Sequence, residues 1–423
     1  YELGLEVALE TLAEQRRPLD TVGGEAVAET ALTGTRDPGL KSQIAGDVVD
    51  ALDRIGATTP SDESLDVGRV HTATRVGARS DTRLVRGAVL SSSPVADDMP
   101  RSLPDTRVAL LTETVELPSV GTVSSRTEAD ATLDIDSFEE RHAVAESERE
   151  LFASRLDELL DSGCRVIITG MAVNDRVVRR LANRGVLAVH RVDDEELSRL
   201  ARVAGGQVVP GLSELSDDRL GRADVSVERL AGEDHLFVRS AGTDDPVYTL
   251  LCRVADPRSI DELEASVQAA IEAVAAAKRD DGVVPGGGAA EVAAYRAVQR
   301  RTRAVEDRRQ LAARGFADAV LTVPRALATN AGMDGWGTVV SLVAGHEAGR
   351  DAAVDAVGGD TADAFEAGPL ADAWSIKRAA LRTAVAAATQ FVRIDDRISV
   401  SGSLESGTDE SDEPAEGDEP QPE

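Results

Sequence analysis

Between two long alanine-rich helical patterns lies the stretch Asp281-Gly-Val-Val-Pro-Gly-Gly-Gly-Ala-Ala-Glu291, with three consecutive glycines at its centre. Gly286, Gly287 and Gly288 carry no Cβ, so the backbone takes positive φ freely and lets another group approach closely. A helical pattern begins directly behind them. It aims unpaired N–H groups and the positive end of a helix dipole at one spot. That arrangement suits an anion, most often a phosphate. A glycine run ahead of a helix also makes a plain tight turn, and this one lacks the Lys-Ser/Thr of a P-loop.

With 423 residues the chain has room for roughly two to four domains. Aromatic residues are scarce, so the cores are to be built from Ala, Val, Leu and Ile. The 76 acidic residues against 46 basic ones leave a net charge of −30, and lysine occurs only at Lys41, Lys278 and Lys377. Such a surface repels nucleic acid and anionic membranes, which argues against both as partners. Spread along the whole chain, the charge reads as a heavily hydrated, salt-tolerant exterior of haloarchaeal type. Cys164 and Cys252 stand beside or within apolar strand-like runs, without the spacing of a disulfide framework or a zinc site, and fit small core residues. No apolar run reaches membrane-span length and no signal peptide is visible, so a cytoplasmic location is expected. The chain starts at Tyr1, already in helical periodicity and without an initiator Met, as expected of a fragment or a processed product.

Leu5, Leu9 and Leu12 stripe a first helix over 1–17, stopped at Pro18. A second runs from Gly24 to Gly34. A third carries Ile44, Val48, Leu52 and Ile55, with Gly56 as the residue that closes it. Val67 to Val76 alternates as a strand, Val108 to Leu111 is a further apolar strand, and Ser137 to Leu160 is a long, highly charged helix. From 163 to 209 strands and helices alternate. Val166–Ile168 is a strand, Asp175–Asn183 a helix and Val186–Val189 a strand; Asp193-Asp-Glu-Glu196 then opens a helix that leads to Gln207–Val209. The short loops between them argue for a parallel sheet with covering helices. Strand-like runs follow at 225–230, 235–240 and 247–253. A helix covers Asp261 to Lys278, and beyond Gly288 the pattern is almost all helix to Asp396, interrupted by the turn-rich Val357–Gly368. Gly402 to Glu423 holds nine acidic residues, no basic ones and three prolines, a composition expected to stay disordered.

Several segments, in this order, resemble one family: Val283 to Glu291, Phe316-Ala-Asp-Ala, Val323-Pro-Arg-Ala-Leu-Ala-Thr-Asn-Ala-Gly332 and Val392-Arg-Ile-Asp-Asp-Arg-Ile398. They look like the C-terminal third of a group II chaperonin of the archaeal thermosome type. Thr30-Ala-Leu-Thr-Gly34 and Gly185-Val-Leu-Ala-Val-His-Arg-Val192 extend the resemblance, and a double glycine of the family is replaced by Val254-Ala255. The resemblance implies a mixed α/β multidomain chain. A largely helical equatorial domain would come from 1–22 and 284–399, a small α/β intermediate domain from 23–83 and 244–283, and an apical α/β domain with a helical protrusion from 84–243. Residues 400–423 form the acidic tail. The helix at 137–160 would be that protrusion, a lid and client contact, or else an ordinary surface helix.

For the family, the resemblance implies ATP and Mg²⁺ as cofactors, non-native polypeptides as clients and other chaperonin subunits as partners in a double ring. Gly286, Gly287 and Gly288 would contact nucleotide. In a Gly-x-x-x-Asp-x-Trp segment, matched in spacing by Gly359, Asp363 and Phe365, the Asp363 carboxylate would bind ribose, or else close an Asx turn. The family's Gly-Asp-Gly-Thr-Thr phosphate and metal loop occurs nowhere in this sequence. Its water-orienting aspartate corresponds to Ala269, eight residues after Asp261; Gln268 beside it lies about 100° round the helix. Alanine neither accepts a proton nor positions water. The expectation is therefore a chaperonin-like subunit defective in ATP hydrolysis, with no catalytic and no metal-binding residue. It would ride in a mixed ring or act alone as a holdase. A scaffold reusing the apical-type module is the alternative.

Overall fold

The computed structural model describes residues 1–59, 64–116, 138–240, 246–306, 308–366 and 370–392. The acidic tail expected at 400–423 and the family-like segment after Val392 lie outside the described residues.

The chain opens with four helices, α1 (Glu2–Gln15), α2 (Leu19–Val22), α3 (Gly24–Ala31) and α4 (Pro38–Gly56). Asp37 starts α4 by accepting the Leu40 N–H, and Pro38 follows at the first helical position. Gly56 does not close this helix as a left-handed residue. It is still helical, and Ala57 follows at φ −66°, its N–H reaching back to the Asp53 carbonyl.

The middle of the chain supplies β1 (Val70–Val76), β2 (Arg83–Arg86), β3 (Ala88–Leu90) and β4 (Ser102–Leu111), then α5 (Phe138–Asp161) and β5 (Cys164–Thr169). After these come α6 (Asp175–Asn183), β6 (Leu187–Val189), α7 (Asp194–Ala204), β7 (Val208–Val209), β8 (Gly221–Leu230), β9 (Glu233–Ser240) and β10 (Tyr248–Val254). The remainder is α8 (Ile260–Asp280), β11 (Val283–Pro285), α9 (Ala289–Arg301), α10 (Arg308–Val320), α11 (Thr322–Asn330) and α12 (Gly335–Glu347). Then follow β12 (Ala352–Asp355), β13 (Asp360–Asp363), β14 (Ala371–Ala373) and α13 (Trp374–Val392).

The largest sheet runs β3-β9-β8-β4-β5-β6, with β7 also paired to β4. The alternating run from β5 to β7 pairs in parallel, as its pattern predicts. The sheet as a whole is mixed, because β8 and β9 form an antiparallel hairpin that joins β4 on one side and β3 on the other. The hairpin turn is Ala231-Gly232, both at positive φ, the geometry a two-residue loop requires. Leu110, Ile167, Leu187 and Leu200 pack with Leu156 and Leu160 of α5 in one core.

A second sheet, β1-β10-β2, lies against α4 and α8, which α3 packs upon, and their core joins Ile44, Leu52, Leu250, Ile271 and Val274. A third cluster holds α1, α9 and α10 together through Val7, Val298 and Phe316. The two larger sheets are joined between β2 and β3 by Gly87 alone. Its φ is +135°, and the Thr249 hydroxyl donates to its carbonyl at 2.7 Å. Beyond Gly288 the chain is less uniformly helical than its periodicity suggests, since β12 and β13 form a hairpin and β14 pairs with β11.

Two outcomes follow from these contacts. A Cβ on residue 87 would strike the Val238 carbonyl, and φ there is unfavourable for any L side chain. Gly87→Ala is expected to lower the unfolding free energy by about 2 kcal/mol, read by urea denaturation. Asp47 on α4 is half-buried, and burial, with Asp50 beside it, pushes its carboxyl from the usual 3.8 up to about 6. Such a group favours the fold at low pH and loses that contribution as pH rises through its folded-state value. Asp47→Asn is expected to flatten the decline in stability between about pH 4 and pH 6 and to leave the variant the more stable protein at about pH 7.5.

Candidate functional site

Val283 of β11 exchanges both backbone hydrogen bonds with Arg17, each at 2.9 Å, and β11 pairs on its other edge with β14. The chain then turns sharply. The Gly286 N–H donates to the Leu370 carbonyl at 2.8 Å, the Gly287 carbonyl accepts from the Val354 N–H at 2.9 Å, and α9 starts after Gly288. Gly287 and Gly288 have φ of +58° and +82°.

Each glycine is also hemmed in by the protein itself. A Cβ would meet the Leu370–Ala371 backbone at residue 286, the Val354 carbonyl at 287 and Pro324 at 288. The run is thus a turn through which three other segments approach the backbone. It also leaves the Gly287 and Gly288 amides without a protein acceptor among the described residues, at the start of a helix. Both readings of the glycines coexist at one place.

Asp363 reaches the same place from the other side. It ends β13 and pairs with Ala352, two residues before Val354, so Gly287 and Asp363 border the same short hairpin. Its carboxylate accepts the Phe365 N–H and the Asp351 N–H, both at 3.2 Å. The first of these is an Asx turn, and both oxygens are turned to the chain's own backbone. Gly359, at φ +68°, lies in the turn of the hairpin. Ala269 is exposed on α8, next to Gln268, whose amide bonds Glu272 at 3.1 Å.

Sequence reasoning passed over the cations around this turn. The Arg17 guanidinium lies 3.9 Å over the Phe365 ring and 3.1 Å from the Asp351 carboxylate. Arg16 and Arg378 both lie over Trp374, at 4.7 and 4.6 Å. The signal was available: in a chain with two tryptophans and six phenylalanines, one of each stands in the same short stretch, at 365 and 374.

Lys377 was also missed. Its ammonium binds Glu291 at 2.5 Å and Asp372 at 3.1 Å, directly behind the glycine turn. Burial works against the charged lysine, but the two carboxylates outweigh it and hold its pKa above the ordinary value. Burial pushes the Asp372 carboxyl up. As one of only three lysines in the chain it was conspicuous in composition.

The turn and its free amides fit a phosphate. Position 269 is an alanine, and the Asp363 carboxylate accepts two backbone amides of its own chain. Elsewhere, α6 and the residue that follows it present Arg176, Arg179, Arg180 and Arg184 along an open groove of about 490 Å³. Two of the four are tied to α5, Arg180 to Asp157 at 2.5 Å and Arg184 to Asp161 at 3.0 Å.

Removing one member of a buried ion cluster leaves the others uncompensated. Lys377→Met is expected to cost about 3 kcal/mol of stability, and pairing it with Glu291→Leu is expected to recover most of that loss in the same denaturant titration.

The model of the TCP-1/cpn60 chaperonin family matches residues 1–401. A thermosome subunit of Methanopyrus kandleri is 34% identical over 405 residues, covering 94% of this chain and 72% of that protein. Thermosome subunit 2 of Haloferax volcanii is 33% identical over 409 residues, 96% of this chain and 71% of that protein. Among solved structures, the open-state monomer of a group II chaperonin from Methanococcoides burtonii has the same fold, with a TM-score of 0.59 at 23% identity over 92% of each chain.

Proposed function

The chain belongs to the TCP-1/cpn60 chaperonin family, and from that premise we propose that it is a chaperonin subunit that binds non-native polypeptides without itself hydrolysing ATP. The observation that carries the first half is the family match across residues 1–401, together with the shared fold. The second half rests on Ala269 and on the backbone hydrogen bonds of Asp363.

In this reading, residues 1–22 and 284–399 are equatorial, 23–83 and 244–283 intermediate, and 84–243 apical. Three hydrophobic clusters centred on these parts support that division, with Leu19, Ala371 and Ala373 packing into the intermediate one. Clients bind the apical part, where α5 would serve as the protrusion, and other chaperonin subunits are the ring partners. The Gly286–Gly288 turn retains a phosphate contact of low affinity, with Mg²⁺-ATP turnover left to other subunits of a mixed ring. The acidic composition, and the likeness to Haloferax volcanii subunits, support a haloarchaeal source and a cytoplasmic location. Among the described residues no helix is long and apolar enough to cross a membrane.

The test is a light-scattering assay of a chemically denatured client diluted into buffer with the purified chain, run beside a phosphate-release assay. Aggregation is expected to be suppressed equally with and without ATP, and phosphate release is expected to stay at the level of buffer. ATP turnover that disappears in a Gly287→Ala variant would overturn the hydrolysis-defective reading, and unchanged client aggregation would overturn the chaperone reading.

A further inference from the structure

Where the two larger sheets meet, positive charge collects that the chaperonin reading does not use. β1 and β10 run parallel in register, which sets Arg75 beside Arg253 on neighbouring strands. Like charges placed opposite one another repel. Arg253 is fully buried, and among the described residues none of its Nε, Nη1 and Nη2 atoms has a hydrogen-bond partner. A guanidinium keeps its proton at any physiological pH, so it has no neutral form in which to tolerate that burial. Gly77 makes the space it occupies: a Cβ there would strike the guanidinium.

The other sheet contributes a histidine. Arg75 donates from Nε to the Ser91 hydroxyl at 2.6 Å. Ser91 directly follows Leu90, which pairs with Leu236 of β9, so it comes level with His235. His235 is 1% exposed. Its Nδ1 lies 3.2 Å from the Glu233 carbonyl, and its Nε2 has no partner. Burial, and then the charges of Arg253 and Arg75, hold the imidazole below its ordinary pKa against the opposing effect of the Glu233 hydrogen bond. The charges that bear on Arg253 are those of Asp81, Arg75, Glu233 and Arg83. Arg83 is paired with Glu228 at 2.6 Å. Asp81 and Glu233 make no hydrogen bond or ion pair with Arg253.

We propose that this junction is a binding site for a small inorganic anion of halide size, with the Arg253 guanidinium and the His235 Nε2 as its ligands and Arg75 adding charge. The backbone carbonyl of Glu233 accepts a hydrogen bond from Nδ1–H, so Nε2 becomes a donor when the ring takes up a proton from solvent as the anion binds. Full burial admits a monatomic ion more readily than a tetrahedral oxyanion. Because Arg253 and Arg75 belong to the three-stranded sheet and His235 to the larger one, the bound ion ties the two sheets across Gly87. The rigidity of the junction then depends on the concentration of the ion and not only on ionic strength. The site is separate from the glycine turn and stands whether or not the chain binds nucleotide.

The test uses the full chain at constant ionic strength while chloride replaces gluconate, an anion too large to enter. The melting temperature is expected to rise with the logarithm of chloride concentration, and the His235 ring resonances are expected to move along the same titration. Arg253→Met, which keeps an unbranched apolar stem and removes the charge, is expected to melt at a temperature indifferent to the exchange. A crystal of the unaltered protein soaked in bromide supplies a readout that needs no variant, an anomalous peak beside Arg253 and His235. Equal chloride dependence in both proteins overturns the proposal, as does a bromide-soaked crystal with no peak at Arg253.

Discussion

The hydrogen-bonded pair between Arg17 and Val283 brings together parts of the chain that are remote in sequence. Val283 gives both of its backbone groups to Arg17. On the opposite edge the Trp374 N–H bonds the Gly282 carbonyl at 3.0 Å and the Gly286 N–H bonds Leu370. The end of α1, the strand before α9 and the strand before α13 therefore share one short sheet. The directions of all three helices are set from it, and the glycine turn has its shape because the third segment closes over it.

Around this sheet the protein departs from its overall character. The surface is acidic, but the contacts next to the turn are cationic: Arg16 and Arg378 on Trp374, Arg17 on Phe365, and Lys377 between Glu291 and Asp372. An arginine over an aromatic face keeps its charge without the full cost of desolvation. A lysine between two carboxylates is compensated twice. Phe365, Trp374 and one of the three lysines stand where distant segments must stay together, whereas the bulk of the core is built from Ala, Val, Leu and Ile.

Much of the order of elements was legible in the residues. The Asp175–Asn183 helix, the carboxylate-rich start of α7 and the strands after Cys164 stand where periodicity places them, because each buries one face and the pattern reports that face directly. The β12–β13 hairpin was not legible. Its strands are short, rich in Ala and Asp, and weak in strand propensity. They form because the Gly287 carbonyl and the Asp351 amide provide partners for them. The same limit applied to Asp363: the spacing placed it near the turn, but spacing does not say that its two oxygens are occupied by the Phe365 and Asp351 amides.

Taken by itself, the sequence determined most of the helices and strands, the likeness to the chaperonin family and the alanine at residue 269, since these depend on side-chain identity and local period. Only the tertiary structure decided that the hairpin of β8 and β9 makes the larger sheet mixed, that Lys377 lies behind the glycine turn, and that Arg253 is sealed beside Arg75 and His235. Periodicity shows that a face is buried but not what it is buried against, and each of these features is a relation between segments brought together only when the sheets pair.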